Sequence, residues 1–390
     1  MNISQNIFDN TQVAFASKTT GELKKAKLLF QLIASNQLVN IGSGLATLAL
    51  RLHLPVSPLF RYTVYDHFCG GETFEECKQT IAKLADKGVS TMLNYGVELK
   101  ETEADFEKTI EKNLEAIAFA GKNKNVKVLC IKLTGFGRFG LFEKIQSGEA
   151  LNDAEQQEFQ QVRERFHRLC KSAEKEQVEL YVDAEESWIQ DPLDALVDEA
   201  MPIFNKQRPI VFNTFQLYRH DRLPYLKTCF EKAQQGNFYL GAKIVRGAYM
   251  EKERERAAEK GYPSPIHENK EAVDADFNEA LQLCLEHLDR ISVCIASQSE
   301  PSNLLAITTI QQKGIPVSHP HIKFAQLYGM GDNITFNLSA LGFNACKYLP
   351  YGPVKDVIPY LIRRAQENTS VAGQTGRELN LISDELMRRN

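Results

Sequence analysis

Eight short runs rich in apolar and β-branched residues, each trailed by a polar segment of helical periodicity, constrain the fold of this chain more than any single motif. The runs cover residues 89–97, 126–134, 178–184, 209–216, 238–245, 291–296, 321–326 and 345–349. Segments between them, such as 153–176 and 270–287, carry apolar residues at helical spacing. Eight strand–helix units are the count of a closed (β/α)8 TIM-type barrel. An open doubly wound sheet alternates as well, so the count favours the barrel without proving it. Residues 1–88 read instead as successive helices. Thr73 and Glu76 are spaced as a capping box for a helix over 74–86, and Gly88 is placed to end it. The expected organisation is an α/β chain with an N-terminal α-helical arm over 1–88 and a catalytic barrel over 89–390.

Composition removes several classes of partner. Forty-six Lys plus Arg stand against fifty Asp plus Glu, a net charge of −4, so no basic field attracts nucleic acid. The eight cysteines form no C-x-x-C pair, a pattern that fits reduced thiols in the cytoplasm. The opening MNISQNIFDN lacks the basic start and apolar core of a secretory signal. The longest apolar stretch, 45–56, contains Arg51 and His53 and falls short of the ~20 residues a span needs. A cytoplasmic protein is expected, with any membrane association peripheral, at the inner face. A segment around 45–54 reads as an arm packed on the barrel rather than an amphipathic membrane helix.

Two motifs invite a functional reading and do not sustain it. Gly135-Phe-Gly137-Arg-Phe-Gly140 matches G-x-G-x-x-G, but a dinucleotide fingerprint needs its third glycine inside an opening helix and an acid about twenty residues on. Here the next helix is expected near Asn152, and Asp183 lies too far along. His319-Pro-His321 is the only close histidine pair and reads as a turn into a strand, so no metal is expected.

What remains is polar residues at successive strand ends, where a barrel carries its chemistry. Glu98 ends the first run, Lys132 lies in the second, Asp183 and Glu185 close the third and Gln216 the fourth. The fifth supplies Lys243 and Arg246 ahead of Gly247-Ala248-Tyr249. A lone charge in an apolar strand is costly unless it is paired or meets a ligand, so Lys132 in VLCIKLT and Asp183 in LYVDAE are the informative ones. A ring of structural ion pairs explains them equally well. In the eighth unit Tyr348 ends the strand, and the following helix carries Tyr360, Arg363 and Arg364, which share a face. Adjacent arginines suit a carboxylate, from substrate or from protein, and a solvated helix end is the plainer alternative.

The segments LNYGVE, YVDAEES, FNTFQLYRHD, GAKIVRGAYMEKERERA, FAQLYGMGD and KYLPYGPVKDVIPYLIRRAQENTS, in this order, resemble the proline dehydrogenase family. The likeness runs from Phe68-Cys-Gly-Gly-Glu-Thr73 almost to the C-terminus and is nearer the monofunctional, mitochondrial-type branch than the large bifunctional bacterial enzymes. It implies a distorted (β/α)8 barrel that binds FAD and oxidises L-proline to 1-pyrroline-5-carboxylate by hydride transfer, with a quinone taking the electrons. The product would pass to a separate pyrroline-5-carboxylate dehydrogenase. Lys132, Arg363 and Arg364 match family positions that hold the proline carboxylate, and Tyr249, Leu327, Tyr348 and Tyr360 those that wall the ring. Asp183 and Lys243 match positions beside the ring and the flavin. Ala184, Gln216, Arg246, Gly247, Ala248 and Glu367 match cofactor contacts. The family commonly ends the sixth strand A-T-H-N or A-S-H-N, whereas this chain reads Ala296-Ser297-Gln298-Ser299. Ser297 and Gln298 are carried over as adenine-side contacts that lack the imidazole's stacking surface. Hydroxyproline-preferring members have a smaller residue at the place of Tyr348, so the resemblance implies proline. A hydroxyproline or other cyclic imino-acid dehydrogenase and a non-catalytic proline-binding barrel are the alternatives.

Overall fold

The computed structural model describes residues 6–35, 37, 39, 44, 60–96, 101–370 and 374–390, with backbone only over 365–370 and 374–375. The segment 45–54 and Glu98 lie outside these residues. Eight parallel strands close into a barrel in sequence order: β1 Ser90–Tyr95, β2 Val126–Ile131, β3 Glu179–Val182, β4 Val211–Gln216, β5 Leu240–Val245, β6 Ile291–Ala296, β7 Ile322–Leu327 and β8 Ala345–Tyr351. The longer helices are α1 Thr20–Ile33, α2 Phe74–Ala85, α3 Glu103–Gly121, α4 Phe139–Gln146, α5 Asp153–Glu176, α6 Ser187–Phe204 and α7 Arg222–Gly236, then α8 Met250–Lys260, α9 Lys270–Glu286, α10 Glu300–Gln312, α11 Asp332–Ala340, α12 Val354–Ser370 and α13 Gln374–Arg389. The barrel expectation holds.

The chain forms two compact units, Leu99–Ala325 and Met1–Glu98 with Gln326–Asn390. In the first, β2 to β7 pair in parallel, each with its sequence neighbour. Every residue of β4 is buried, as a parallel strand covered on both faces requires, and this is why such strands read as continuous apolar runs rather than alternating ones. The Asn152 side chain accepts from the Glu155 amide at 2.9 Å and Glu155 accepts from the Asn152 amide at 2.9 Å, a reciprocal cap that fixes the start of α5.

The glycine-rich loop needs a correction. A helix, α4, opens at Phe139 and takes in Gly140, well before Asn152. Its N-cap residue Arg138 makes no side-chain cap bond, so no cap signal marked it. The loop is nonetheless a packing device. A Cβ on Gly137 would lie 2.5 Å from Val162 Cγ2, and Arg165 of α5 donates to the Phe136 carbonyl at 2.9 Å.

In the second unit β1 pairs with β8. Phe15, Leu23, Phe30 and Ile33 from the start of the chain pack in one cluster with Val357, Ile358 and Leu361 of α12 and Leu381 and Ile382 of α13. The Thr73 hydroxyl accepts from the Glu76 amide at 3.4 Å, but Glu76 accepts from the Glu72 amide at 3.1 Å instead of from Thr73, so the box is only half formed. Gly88, at φ +71°, ends the turn that follows α2.

Candidate active site

Asp183 follows the last residue of β3, and its amide donates to the Ile131 carbonyl at 2.8 Å. Lys243, the fourth residue of β5, is 6% exposed, and its ammonium donates to Asp183 Oδ1. Burial works to lower the Lys243 pKa, and the Asp183 charge, with Cys130 and Cys294 behind it, more than offsets that, so the group stands above an ordinary lysine and is a permanent cation. Lys132 is not inside the second strand as expected. It follows β2 and opens the single turn Leu133–Gly135, because the strand's pairing with β3 stops at Ile131. From there its ammonium donates to the Tyr249 hydroxyl at 3.3 Å and lies 5.9 Å from the centroid of that ring.

Beyond β4 and β5 the loops are tied by side-chain amides. The Gln216 amide donates to the Glu185 carbonyl at 2.8 Å and its oxygen accepts from the Ala248 amide at 3.3 Å, bridging the segment Ala184–Glu185 to Gly247–Ala248. The Arg246 guanidinium is held from four sides: by Asp274 at 2.8 Å, Ser297 at 2.7 Å, Ser302 at 2.9 Å and the face of Phe277, 4.4 Å from its ring centroid. Burial would raise the Asp274 carboxyl, yet Lys270 and Arg246 keep it below its usual value, so this anchor stays ionised. Ser297 also accepts from the Ser299 amide at 3.1 Å, which brings the end of β6 into the same network. Gln298 lies between these two residues.

Gly247 is required where it stands. Its φ is +144°, and a Cβ there would come 2.3 Å from Cδ1 of buried Tyr218. Gly247→Ala is expected to cost ~1–3 kcal/mol and to weaken retention of any ligand held by Arg246 and Ala248. A thermal melt of the purified variant checks the first; a wild-type melting temperature would refute the packing argument.

In the unit that holds β1 and β8, the Arg364 guanidinium lies 5.1 Å from the centroid of the Tyr360 ring, as the helical spacing predicts. Tyr360 is buried, and Arg363 and Arg364 are half-buried. Tyr348 does not end its strand: β8 continues to Tyr351, with Asn94 opposite Pro350 and Tyr95 opposite Tyr351. The Tyr348 carbonyl accepts from the Tyr328 amide at 2.9 Å. Leu327 closes β7, and the Glu367 side chain lies outside the described residues.

Sequence reasoning missed a buried charge cluster beside Leu327. Lys347, its side chain 1% exposed, donates to the Leu327 carbonyl at 3.2 Å and the Met330 carbonyl at 2.5 Å and pairs with Asp332 at 2.8 Å. Asp332 also pairs with Lys18 at 2.7 Å, and buried Glu378 accepts from the Gly331 amide at 2.5 Å. Lys347 in the apolar run ACKYLPY was the available signal. Lys323 of β7, paired with Glu179 of β3 at 2.7 Å, is a second buried pair of the kind that sequence alone left open.

A model of the family described as proline dehydrogenase matches residues 77–377. The chain belongs to the proline dehydrogenase family. Among curated relatives it is 34% identical over 347 residues to the carbapenem antibiotics biosynthesis protein CarD of Pectobacterium carotovorum, covering 89% of each chain. It is 31% identical to the mitochondrial proline dehydrogenase 1 of Dictyostelium discoideum, over 97% of this chain and 74% of the relative. To the hydroxyproline dehydrogenase of Bos taurus it is 32% identical, over 96% and 92%. Proline utilization A from Bdellovibrio bacteriovorus shares the fold with a TM-score of 0.72 at 19% identity. That match covers 82% of this chain, which spans only 35% of the solved structure's length. Among the described residues no helix is long and apolar enough to cross a membrane.

Proposed function

We propose that this member of the proline dehydrogenase family oxidises L-proline to 1-pyrroline-5-carboxylate with FAD as its cofactor and passes the electrons to a quinone. The observation that carries the proposal is the polar set in β5 and at the ends of β4, β5 and β6: a permanent Lys243 cation, the rigidly held Arg246, the Gln216 amide and the Ser297 hydroxyl. Fixed cations beside amide and hydroxyl groups are what an anionic dinucleotide with a polar heterocycle needs, so the residues present fit FAD. Bound there, FAD supplies an acceptor for the hydride that leaves the ring carbon next to the proline nitrogen, while the nitrogen gives up a proton. Ala184, Gln216, Arg246, Gly247, Ala248, Ser297, Gln298 and Glu367 are the residues we assign to holding it.

The chain's own part is binding and electrostatics. A small zwitterion needs a carboxylate clamp, which we assign to Lys132, Arg363 and Arg364. Tyr249, Leu327, Tyr348 and Tyr360 wall the pyrrolidine ring, exclude water and fix its orientation. Asp183 accepts from Lys243 and keeps that ammonium pointed at one place. The product would leave for a separate pyrroline-5-carboxylate dehydrogenase, and any contact with the quinone's membrane would be peripheral.

A second reading, hydroxyproline oxidation, draws on the bovine relative, and the bulk of Tyr348 opposes it. The test is an ultraviolet–visible spectrum before and after anaerobic L-proline. A yellow protein that bleaches with L-proline, and more slowly with trans-4-hydroxyproline, is expected. A colourless protein that binds proline overturns the enzyme reading, and faster bleaching by hydroxyproline overturns the substrate.

A further inference from the structure

Glu185 stands two residues beyond Asp183, is only 4% exposed, and the roles assigned above give it nothing to do. Its carboxylate sits against the turn that carries Lys132. Thr134 donates to it through its hydroxyl, at 3.0 Å to one oxygen and 2.7 Å to the other, and through its amide at 3.3 Å. Its backbone is pinned on both sides, with the amide donating to Gln190 at 2.7 Å and the carbonyl accepting from Gln216 at 2.8 Å. The carboxylate therefore has a fixed address on the turn that Lys132 opens, within electrostatic reach of the Lys132 ammonium.

The charges that weigh on it most are Lys132 and Glu186. Lys132 approaches from the end of β2, and Glu186 lies on its own segment, paired with Lys252 of α8. Thr134, Gln190 and Gln216 are neutral. Burial pushes the Glu185 carboxyl up to about 7; Lys132 and the two Thr134 bonds pull it down, and Glu186 adds to the rise. Both protonation states keep the Thr134 latch, because a neutral carboxyl can accept through one oxygen and donate to the hydroxyl through the other. What changes on protonation is the charge beside Lys132, not the shape of the turn.

We propose that Glu185 competes with a bound ligand carboxylate for the Lys132 ammonium and takes up a proton when that carboxylate arrives. The proposal rests on the reading that Lys132 belongs to the carboxylate clamp. An anion settling on Lys132 removes part of the attraction that keeps Glu185 ionised and adds a repulsion, so its carboxyl becomes more basic. By reciprocity, carboxylate affinity rises as pH falls through the Glu185 titration and is lost as pH rises above it. Glu185 is a positioning residue in this scheme, tuning the strength of a cation that touches the substrate.

The probe is cyclopentanecarboxylate, a ring carboxylate with no oxidisable amine, titrated calorimetrically into the purified protein in two buffers of different ionisation enthalpy. Wild type should take up a fraction of a proton near neutrality and bind about fivefold or more tightly at about pH 6 than at about pH 8. Glu185→Gln should bind without proton uptake and with a flat profile. Thr134→Val, which removes a bond favouring the ionised form, should move the midpoint upward while leaving the uptake, and it serves if Glu185→Gln fails to fold. The same pH response and uptake in Glu185→Gln, or an unmoved midpoint in Thr134→Val, overturns the Glu185 assignment while leaving proline oxidation standing. A wild-type protein that binds neither the probe nor L-proline sinks the clamp reading and this proposal together.

Discussion

Lys243→Met is expected to slow single-turnover flavin reduction by L-proline about 10²–10³-fold, the usual effect of deleting one preorganised charge from a buried site. The size follows from where the charge sits. Lys243 is 6% exposed, so little water screens its charge, and what the paired Asp183 carboxylate does not offset acts on a developing negative charge. Methionine matches the length of the side chain and removes the charge alone. It also removes the ammonium paired with Asp183, whose side chain is 12% exposed, so the variant should lose stability as well, by up to ~3–5 kcal/mol. Asp183→Asn combined with Lys243→Met separates the two effects. The double variant should recover stability without recovering the reduction rate. Stopped-flow absorbance and thermal melts measure both, and a double variant that reduces flavin at the wild-type rate would show Lys243 to be structural only.

The barrel was readable because each parallel strand is buried on both faces and so leaves an uninterrupted apolar run, with a strongly capped helix such as α5 between runs. Asp183 and Lys243 were readable for the converse reason: a charge inside such a run must have a partner, and here it has one. Local pattern fails where tertiary pairing decides. The run VLCIKLT reads on past Ile131 to Leu133 and Thr134, yet the ladder to β3 ends at Ile131 and Lys132 turns out of the strand. The eighth run reads as ending at 349, yet β8 continues through Pro350 against Asn94. The half-formed box at Thr73 shows the same limit, since Glu76 takes the Glu72 amide instead. Tyr360 and Arg364 needed no tertiary information, because helical spacing alone puts a ring under a guanidinium.

Lys347→Met is expected to destabilise the fold by about 3–5 kcal/mol, the cost of breaking a buried ion pair by removing one member. Lys347 inside the apolar run of β8 was the one signal for this site, because the other members come from Lys18 near the start of the chain, from the first turn of α11 and from α13 and meet only in the folded chain. Asp332 is held far below the usual carboxylate range: burial would raise it, and Lys18 and Lys347 together overcome that. Deleting Lys347 leaves Asp332 its pair with Lys18 and withdraws a charged donor from the Leu327 and Met330 carbonyls. Those carbonyls lie at the close of β7, where Leu327 is assigned to the ring wall, so the variant that does fold should also show a higher KM for L-proline with kcat less affected. Lys347→Arg, which keeps the charge but cannot fit a fork where a point charge sits among three acceptors, should fall between methionine and wild type. Urea midpoints for the three proteins give the order directly. Equal midpoints would mean that the cluster is relaxed by solvent and holds neither Lys18 nor the close of β7 in place.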